Sequence, residues 1–164
     1  MVQVSALTFN PRHNRGATEV AMAQEAMFLK NTENFAESFA RCGVKYHFAY
    51  PITPATDIMK RMAVILPKYG GKMMQMESEL AVSSALAACS GTLAATSSSG
   101  PGMTLMQEAI SFMAGAGLPC LMVDSMRVGP GDGDILGAQS DYYMATRGGG
   151  HGDYRVPVLA PIGG

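Results

Sequence analysis

From residue 31 onward, short apolar runs alternate with segments whose apolar residues recur at helical spacing, and this alternation constrains the fold more than any other property of the chain. His47 to Tyr50, Met73 to Met76, residues 92 to 97, Cys120 to Val123 and Val156 to Ala160 read as strands. Between them, Ile58, Met59, Met62, Ile65 and Leu66 mark a helix over 55–66, small residues fill a helix from Glu79 to Ala88, and Met103, Met106, Ile110 and Met113 line one face of a helix over 103–116. Ser98 to Gly102 reads as the turn before that last helix. Cys120 to Val123 is the continuous apolar type expected when both faces of a sheet are covered. The pattern predicts an α/β fold with a doubly wound parallel sheet.

A helix over Thr32 to Arg41, stopped by Gly43, precedes the first strand. Residues 1 to 16, with Asn10-Pro11 and Gly16, read as an irregular arm, followed by a helical stretch interrupted near Asn31. The organisation expected is therefore an irregular or helical arm over 1–30 and one domain over 31–164. Pro161-Ile162-Gly163-Gly164 follows the last strand with no closing helix, as in a truncated product, a fragment, or a subunit completed by a partner.

At 164 residues, 48% hydrophobic and 15% charged, the chain supports one sizeable core and is too apolar for disorder. A formal net charge of -1 with no Lys/Arg cluster argues against nucleic acid or an anionic membrane as partner. No apolar stretch approaches the roughly 20 residues needed to span a bilayer, and no secretory signature opens the chain, so a cytoplasmic location is expected. Cys42, Cys89 and Cys120 are too scattered for a disulfide framework, a metal site or an iron–sulfur cluster, and read as buried thiols. The 14 methionines read mostly as core filler.

Two turns carry the residues of chemical interest. Tyr50-Pro51-Ile52-Thr53-Pro54 joins a strand to a helix, with Thr53 placed to cap the helix and Pro54 at its first position. Residue 53, preceding a proline, is biased to an extended backbone at the carboxyl end of the strand, the edge where open α/β sheets bind ligands. In Met76-Glu77-Ser78-Glu79, Ser78 is suited to cap a helix that starts at Glu79, where the helix dipole favours an ionised carboxylate. Either Glu79 is a working carboxylate or both glutamates decorate a helix start. Arg127, just after the strand 120–123, either forks onto a substrate carboxylate or pairs with Asp124. Ser99-Gly100-Pro101-Gly102 has the look of a phosphate cradle, but it lacks a Walker lysine and dinucleotide spacing, and a tight turn fits it better. Gly131-Asp132-Gly133 starts like a metal-diphosphate motif, yet no asparagine follows Asn34 to complete it, and the match reads as accidental. His151, alone between glycines, carries no assigned role.

Tyr50-Pro51-Ile52-Thr53-Pro54, Gln75 to Glu79, Ser99 to Gly102 with Leu105 to Ala109, and His151-Gly152-Asp153-Tyr154 before Val158 to Pro161 occur in one order and spacing. In these motifs, from about residue 31 to 161, the chain resembles the N-terminal domain of the α subunit of 2-oxoacid:ferredoxin oxidoreductases, the type that acts on 2-oxoglutarate, which is favoured here, and related acids, and is akin to pyruvate:ferredoxin oxidoreductase. The resemblance implies the pyrimidine-binding form of the thiamine diphosphate fold, facing a partner β subunit that supplies Mg²⁺ and the diphosphate ligands. It implies that Glu79 hydrogen-bonds the aminopyrimidine ring, that Thr53 lies near the oxoacid, that Arg127 holds its carboxylate, and that Pro51, Ser99 and Gly100 line the cofactor, with no metal ligand in this chain. Ferredoxin would take the electrons through iron–sulfur clusters in partner subunits, and coenzyme A the acyl group. The loop Gly129-Pro130-Gly131-Asp132-Gly133-Asp134 departs from the glycine, proline, serine, threonine stretch common in the family. A non-oxidative thiamine-dependent 2-oxoacid decarboxylase subunit and a non-catalytic truncated domain stand as alternatives.

Overall fold

The computed structural model describes residues 2–7, 28–89 and 91–160. Four parallel strands form the heart of a sheet: β2 (Tyr46–Ala49), β3 (Lys72–Gln75), β4 (Ala94–Ser98) and β5 (Cys120–Ser125), in the order β3-β2-β4-β5. Tyr46 stands opposite Lys72 on one side and Ala94 on the other, and Ala94 to Ser98 run alongside Cys120 to Asp124. All four strands therefore end at one edge.

The strands are joined by α2 (Thr56–Ile65) with a 3₁₀ turn at Leu66–Tyr69, by α3 (Glu79–Ala88), and by α4 (Gly100–Leu105) running into α5 (Gln107–Ala116). Helix α1 (Asn31–Arg41) precedes β2 and packs on α2. Neighbouring residues of one strand point to opposite faces, and the two cores follow from this. Ala95 and Val123 join Phe39, Ile58, Met62 and Leu66 of α1, α2 and the 3₁₀ turn on one side. Ala94 and Met122 join Val82, Met106, Ile110 and Met113 of α3 to α5 on the other. Both faces are covered, as the apolar run at 120–123 predicts. Met62, Met106, Met113 and Met122 are fully buried, so these methionines do fill core space.

Because β2 connects outward to β3 while β4 connects the other way to β5, the winding direction reverses between β2 and β4. Loops leaving those two strands diverge and open a crevice at their carboxyl ends.

Several boundaries differ from expectation. Val2–Leu7 is a strand, β1, paired antiparallel to β5 from Val2 opposite Ser125 to Leu7 opposite Cys120, rather than an irregular arm. It occupies the edge that β5 would otherwise leave open, and its Val-Gln-Val-Ser alternation is a period-2 signal too short to stand out. The helical stretch expected over most of 17–30 lies outside the described residues. The last strand, β6, shrinks to Val158–Leu159 and pairs with β1. Helix α4 begins at Gly100, inside the expected turn, and the helix expected over 103–116 breaks at Met106. A short helix, α6 (Asp141–Arg147), was not expected; it buries no residue, so it has no apolar stripe to announce it. Of the three free cysteines only Cys120 is buried; Cys42, just past the end of α1, is exposed, and Cys89 is half-buried. No helix among the described residues is long and apolar enough to cross a membrane.

Candidate active site

The turn after β2 continues further than its sequence suggests. Helix α2 starts at Thr56, whose amide donates to the Ile52 carbonyl at 3.0 Å, and Ala55 takes the N-cap position without a side-chain cap. Thr53 is therefore not the capping residue: the chain is still turning through Pro54 and Ala55. Thr53 is exposed and Pro51 half-buried. What Thr53 offers inward is its carbonyl, which accepts a hydrogen bond from Arg127 Nη1 at 3.0 Å.

Glu79 is the first residue of α3, as expected. Ser78 is extended and its hydroxyl accepts from the Ala81 amide at 3.2 Å, satisfying one orphan donor of the helix start. Glu77 stays exposed, whereas Glu79 is 8% exposed. Its carboxylate lies against Gly102 of α4: a Cβ at that glycine would come within 2.8 Å of Glu79 Oε1 and would overlap Ser98 Oγ. Among the described residues, no side chain or amide donates to this carboxylate. A carboxylate on a largely buried side chain, with no donor among the described residues and at the positive end of a helix, is an acceptor prepared for a ligand N–H.

Ser99 occupies the N-cap position of α4 and is fully buried, but its hydroxyl donates to the Ser125 carbonyl at 2.8 Å and so ties the ends of β4 and β5 together. Gly100 gives its missing Cβ to Asp141, whose Oδ2 would stand 2.8 Å from it. These two positions hold the turn together on the protein side.

Arg127 is 6% exposed. Asp124 is not its partner. Nη2 donates to both the backbone carbonyl and Oδ1 of Asp132 at 2.6 Å, drawing in the loop whose aspartate reads from sequence as accidental, and Nε is buried with no acceptor. A cavity of about 480 Å³ opens here, lined by Arg127, Gly100, Pro101, Thr104 and Asp141. The structure thus joins Thr53 to Arg127 directly. Glu79 reaches the same short helix, α4, through Gly102.

Two buried groups, Asp124 and His47, carry chemistry that the sequence left unassigned. Asp124, next to last in β5, is 2% exposed, with neither oxygen hydrogen-bonded; burial, with the Asp141 carboxylate nearby, pushes its acid up to about 8. Its signal was a carboxylate directly after an apolar run. Burial also raises Asp141, opposed by the Arg127 backbone amide that donates to it. His47, fully buried in β2 with Nε2 3.2 Å from Ser97 Oγ, is pushed by burial down to about 3 and is neutral. His151 is strapped to α5 through its backbone, whose carbonyl and amide both bond Ser111 Oγ, and it borders a second cavity of about 670 Å³ that reaches Asp124. Among the described residues no three acidic, histidine or cysteine side chains gather as metal ligands.

A free buried carboxylate and a buried arginine with an unused donor, both brought to the carboxyl ends of parallel strands at a winding reversal, define a ligand-binding domain of the open α/β class. The chain matches the model of the pyruvate flavodoxin/ferredoxin oxidoreductase thiamine diphosphate-binding family over residues 37–163, and it belongs to that family. It is 50% identical over 121 residues to the ketoisovalerate oxidoreductase subunit VorB of Methanothermobacter marburgensis, covering 73% of this chain and 34% of that one. To the 2-oxoglutarate synthase subunit KorA of Methanocaldococcus jannaschii it is 41% identical over 136 residues, covering 82% and 37%. The solved 2-oxoglutarate:ferredoxin oxidoreductase from Magnetococcus marinus, with 2-oxoglutarate, coenzyme A and succinyl-CoA bound, superimposes with a TM-score of 0.65 at 38% identity, over 74% of this chain and 21% of that one. The chain spans about a third of the curated relatives it matches. The thiamine diphosphate fold and the family expected from the motifs are both borne out.

Proposed function

We propose that this chain forms the pyrimidine-side half of the active site of a 2-oxoacid:ferredoxin oxidoreductase, which converts a 2-oxoacid and coenzyme A to acyl-CoA, CO₂ and reduced ferredoxin. The observation that carries the reading is Glu79, 8% exposed, whose carboxylate has no donor among the described residues, at the start of α3 and against Gly102.

Thiamine diphosphate, when bound, supplies the carbon nucleophile and the electron sink that decarboxylation of a 2-oxoacid requires. Glu79 would accept a hydrogen bond from the aminopyrimidine ring and hold a proton there, the role a positioned carboxylate plays in general acid–base chemistry. The absent Cβ of Gly102 lets helix α4 close on that carboxylate. Arg127 binds the oxoacid carboxylate, with its buried Nε as the donor still to be satisfied. Thr53 holds Arg127 by its carbonyl and borders the oxoacid, and Pro51, Ser99 and Gly100 shape the two turns that face the cofactor. A β subunit supplies Mg²⁺ and the diphosphate ligands, and iron–sulfur subunits carry electrons to ferredoxin, all in the cytoplasm. Relatives named for 2-oxoglutarate and for ketoisovalerate bracket the substrate.

The test is reduction of a low-potential viologen dye by this chain purified with its co-purifying subunits. Dye reduction that needs a 2-oxoacid, coenzyme A and re-added thiamine diphosphate is the expected result. A complex that keeps full activity after the cofactor is stripped contradicts the proposal.

A further inference from the structure

Resting on the reading of Arg127 as the carboxylate site, we propose that Asp132 determines substrate specificity. Its carboxylate stands in for the substrate carboxylate on Arg127, and it biases the site toward 2-oxoacids with uncharged side chains. The pair is lopsided: Arg127 is 6% exposed and the Asp132 side chain 98% exposed, so the anion is a solvent-facing cap on a buried cation. An exposed carboxylate gives up little when it swings back into water.

The contact also leaves the guanidinium incomplete. One carboxylate oxygen of Asp132 meets Nη2, while Nε beside it stays buried without an acceptor. A ligand carboxylate on that side of the guanidinium takes Nε and Nη2 as a two-pronged pair, displaces Asp132 Oδ1 and satisfies the orphan donor. The loop holds Asp132 ready to return, since Gly131 and Gly133 on either side adopt φ of +69° and +62° and the Asp134 amide closes the turn on the Val128 carbonyl at 3.0 Å.

The charge balance gives the selectivity. Arg127 is the one cation among the described residues lining its cavity, and Asp141 lines it too. A 2-oxoacid with one carboxylate exchanges with Asp132 charge for charge. A dicarboxylic 2-oxoacid brings a second negative charge toward Asp132 and Asp141, with no further cation from this chain to meet it.

The experiment is Asp132→Asn in the chain purified with its partner subunits. KM for 3-methyl-2-oxobutanoate is expected to fall about threefold to tenfold, KM for 2-oxoglutarate to fall further, and the ratio of their kcat/KM values to move toward the dicarboxylate. Unchanged KM values for both acids overturn the proposal while leaving the enzymatic reading intact. Labelling by phenylglyoxal, mapped to Arg127 by peptide mass, reads the same contact without turnover. Faster labelling in Asp132→Asn, suppressed by 3-methyl-2-oxobutanoate, is expected. Equal labelling rates in the two proteins overturn the proposal even if no oxoacid is turned over, the result that would instead sink the enzymatic reading.

Discussion

Arg127 Nη1 lies 3.0 Å from the carbonyl oxygen of Thr53, 74 residues earlier in the chain, so the loops leaving β2 and β5 are joined by a buried guanidinium. The same group holds Asp132. Arg127→Ala removes an anchor and a ligand donor at once, and the oxoacid KM is expected to rise roughly tenfold to a hundredfold, the worth of charge-assisted hydrogen bonds. Arg127→Lys keeps the charge without the fork and should recover only part of the loss. Steady-state kinetics of the purified complex check both.

Gly102 is a second pressure point. A methyl group there overlaps Ser98 Oγ and crowds Glu79 Oε1, so Gly102→Ala is expected to lower stability by about 1–3 kcal/mol and to displace the carboxylate. Gly115, exposed in α5 with nothing within 4 Å of an added Cβ, is the control: alanine there should stabilise by about 0.5–1 kcal/mol. Thermal melts of the two variants should shift in opposite directions.

Asp124 gives a pH dependence of definite sign. Its acid rises from 3.8 to about 8 on folding, so between those values the native state holds a proton that the unfolded state has lost. Stability contributed by the neutral acid is present at low pH and is lost as pH climbs through that window. His47 works the other way, its folded value of about 3 against 6.5 making stability fall as pH drops below 6.5. Asp124→Asn mimics the neutral acid, so it should melt higher than the parent chain near pH 8, with the difference vanishing near pH 4. A gap that stays constant with pH contradicts the assignment.

How much of this was legible beforehand follows from which interactions are local. The helix start at Ser78-Glu79 is encoded within four residues by a capping serine, and it was read correctly. Strands β2, β4 and β5 are buried on both faces and so carry no polar alternation, whereas β3 is a largely exposed edge strand recognisable only by its two methionines. Arg127 was recognisable as a site residue, but its partners were not: Asp124 is near in sequence, while the actual partners are set by how the 128–137 loop folds back and where the β2 turn ends. Thr53 was read as a cap because Thr-Pro fits a helix start, and the turn simply runs on to Ala55. Strand β1 was invisible for a similar reason, since its pairing partner lies more than a hundred residues away.

The proton chemistry proposed for Glu79 requires its carboxylate, not merely a polar group at the helix start. The most direct test is Glu79→Gln in the assembled complex, with bound thiamine and oxoacid-dependent dye reduction measured on the same sample and Glu77→Gln alongside. The expected result is a folded Glu79→Gln complex whose turnover drops about 10²- to 10⁴-fold, the usual worth of a general acid–base group, with Glu77→Gln close to the parent. Turnover of Glu79→Gln within a few-fold of the parent would contradict the proposed proton chemistry.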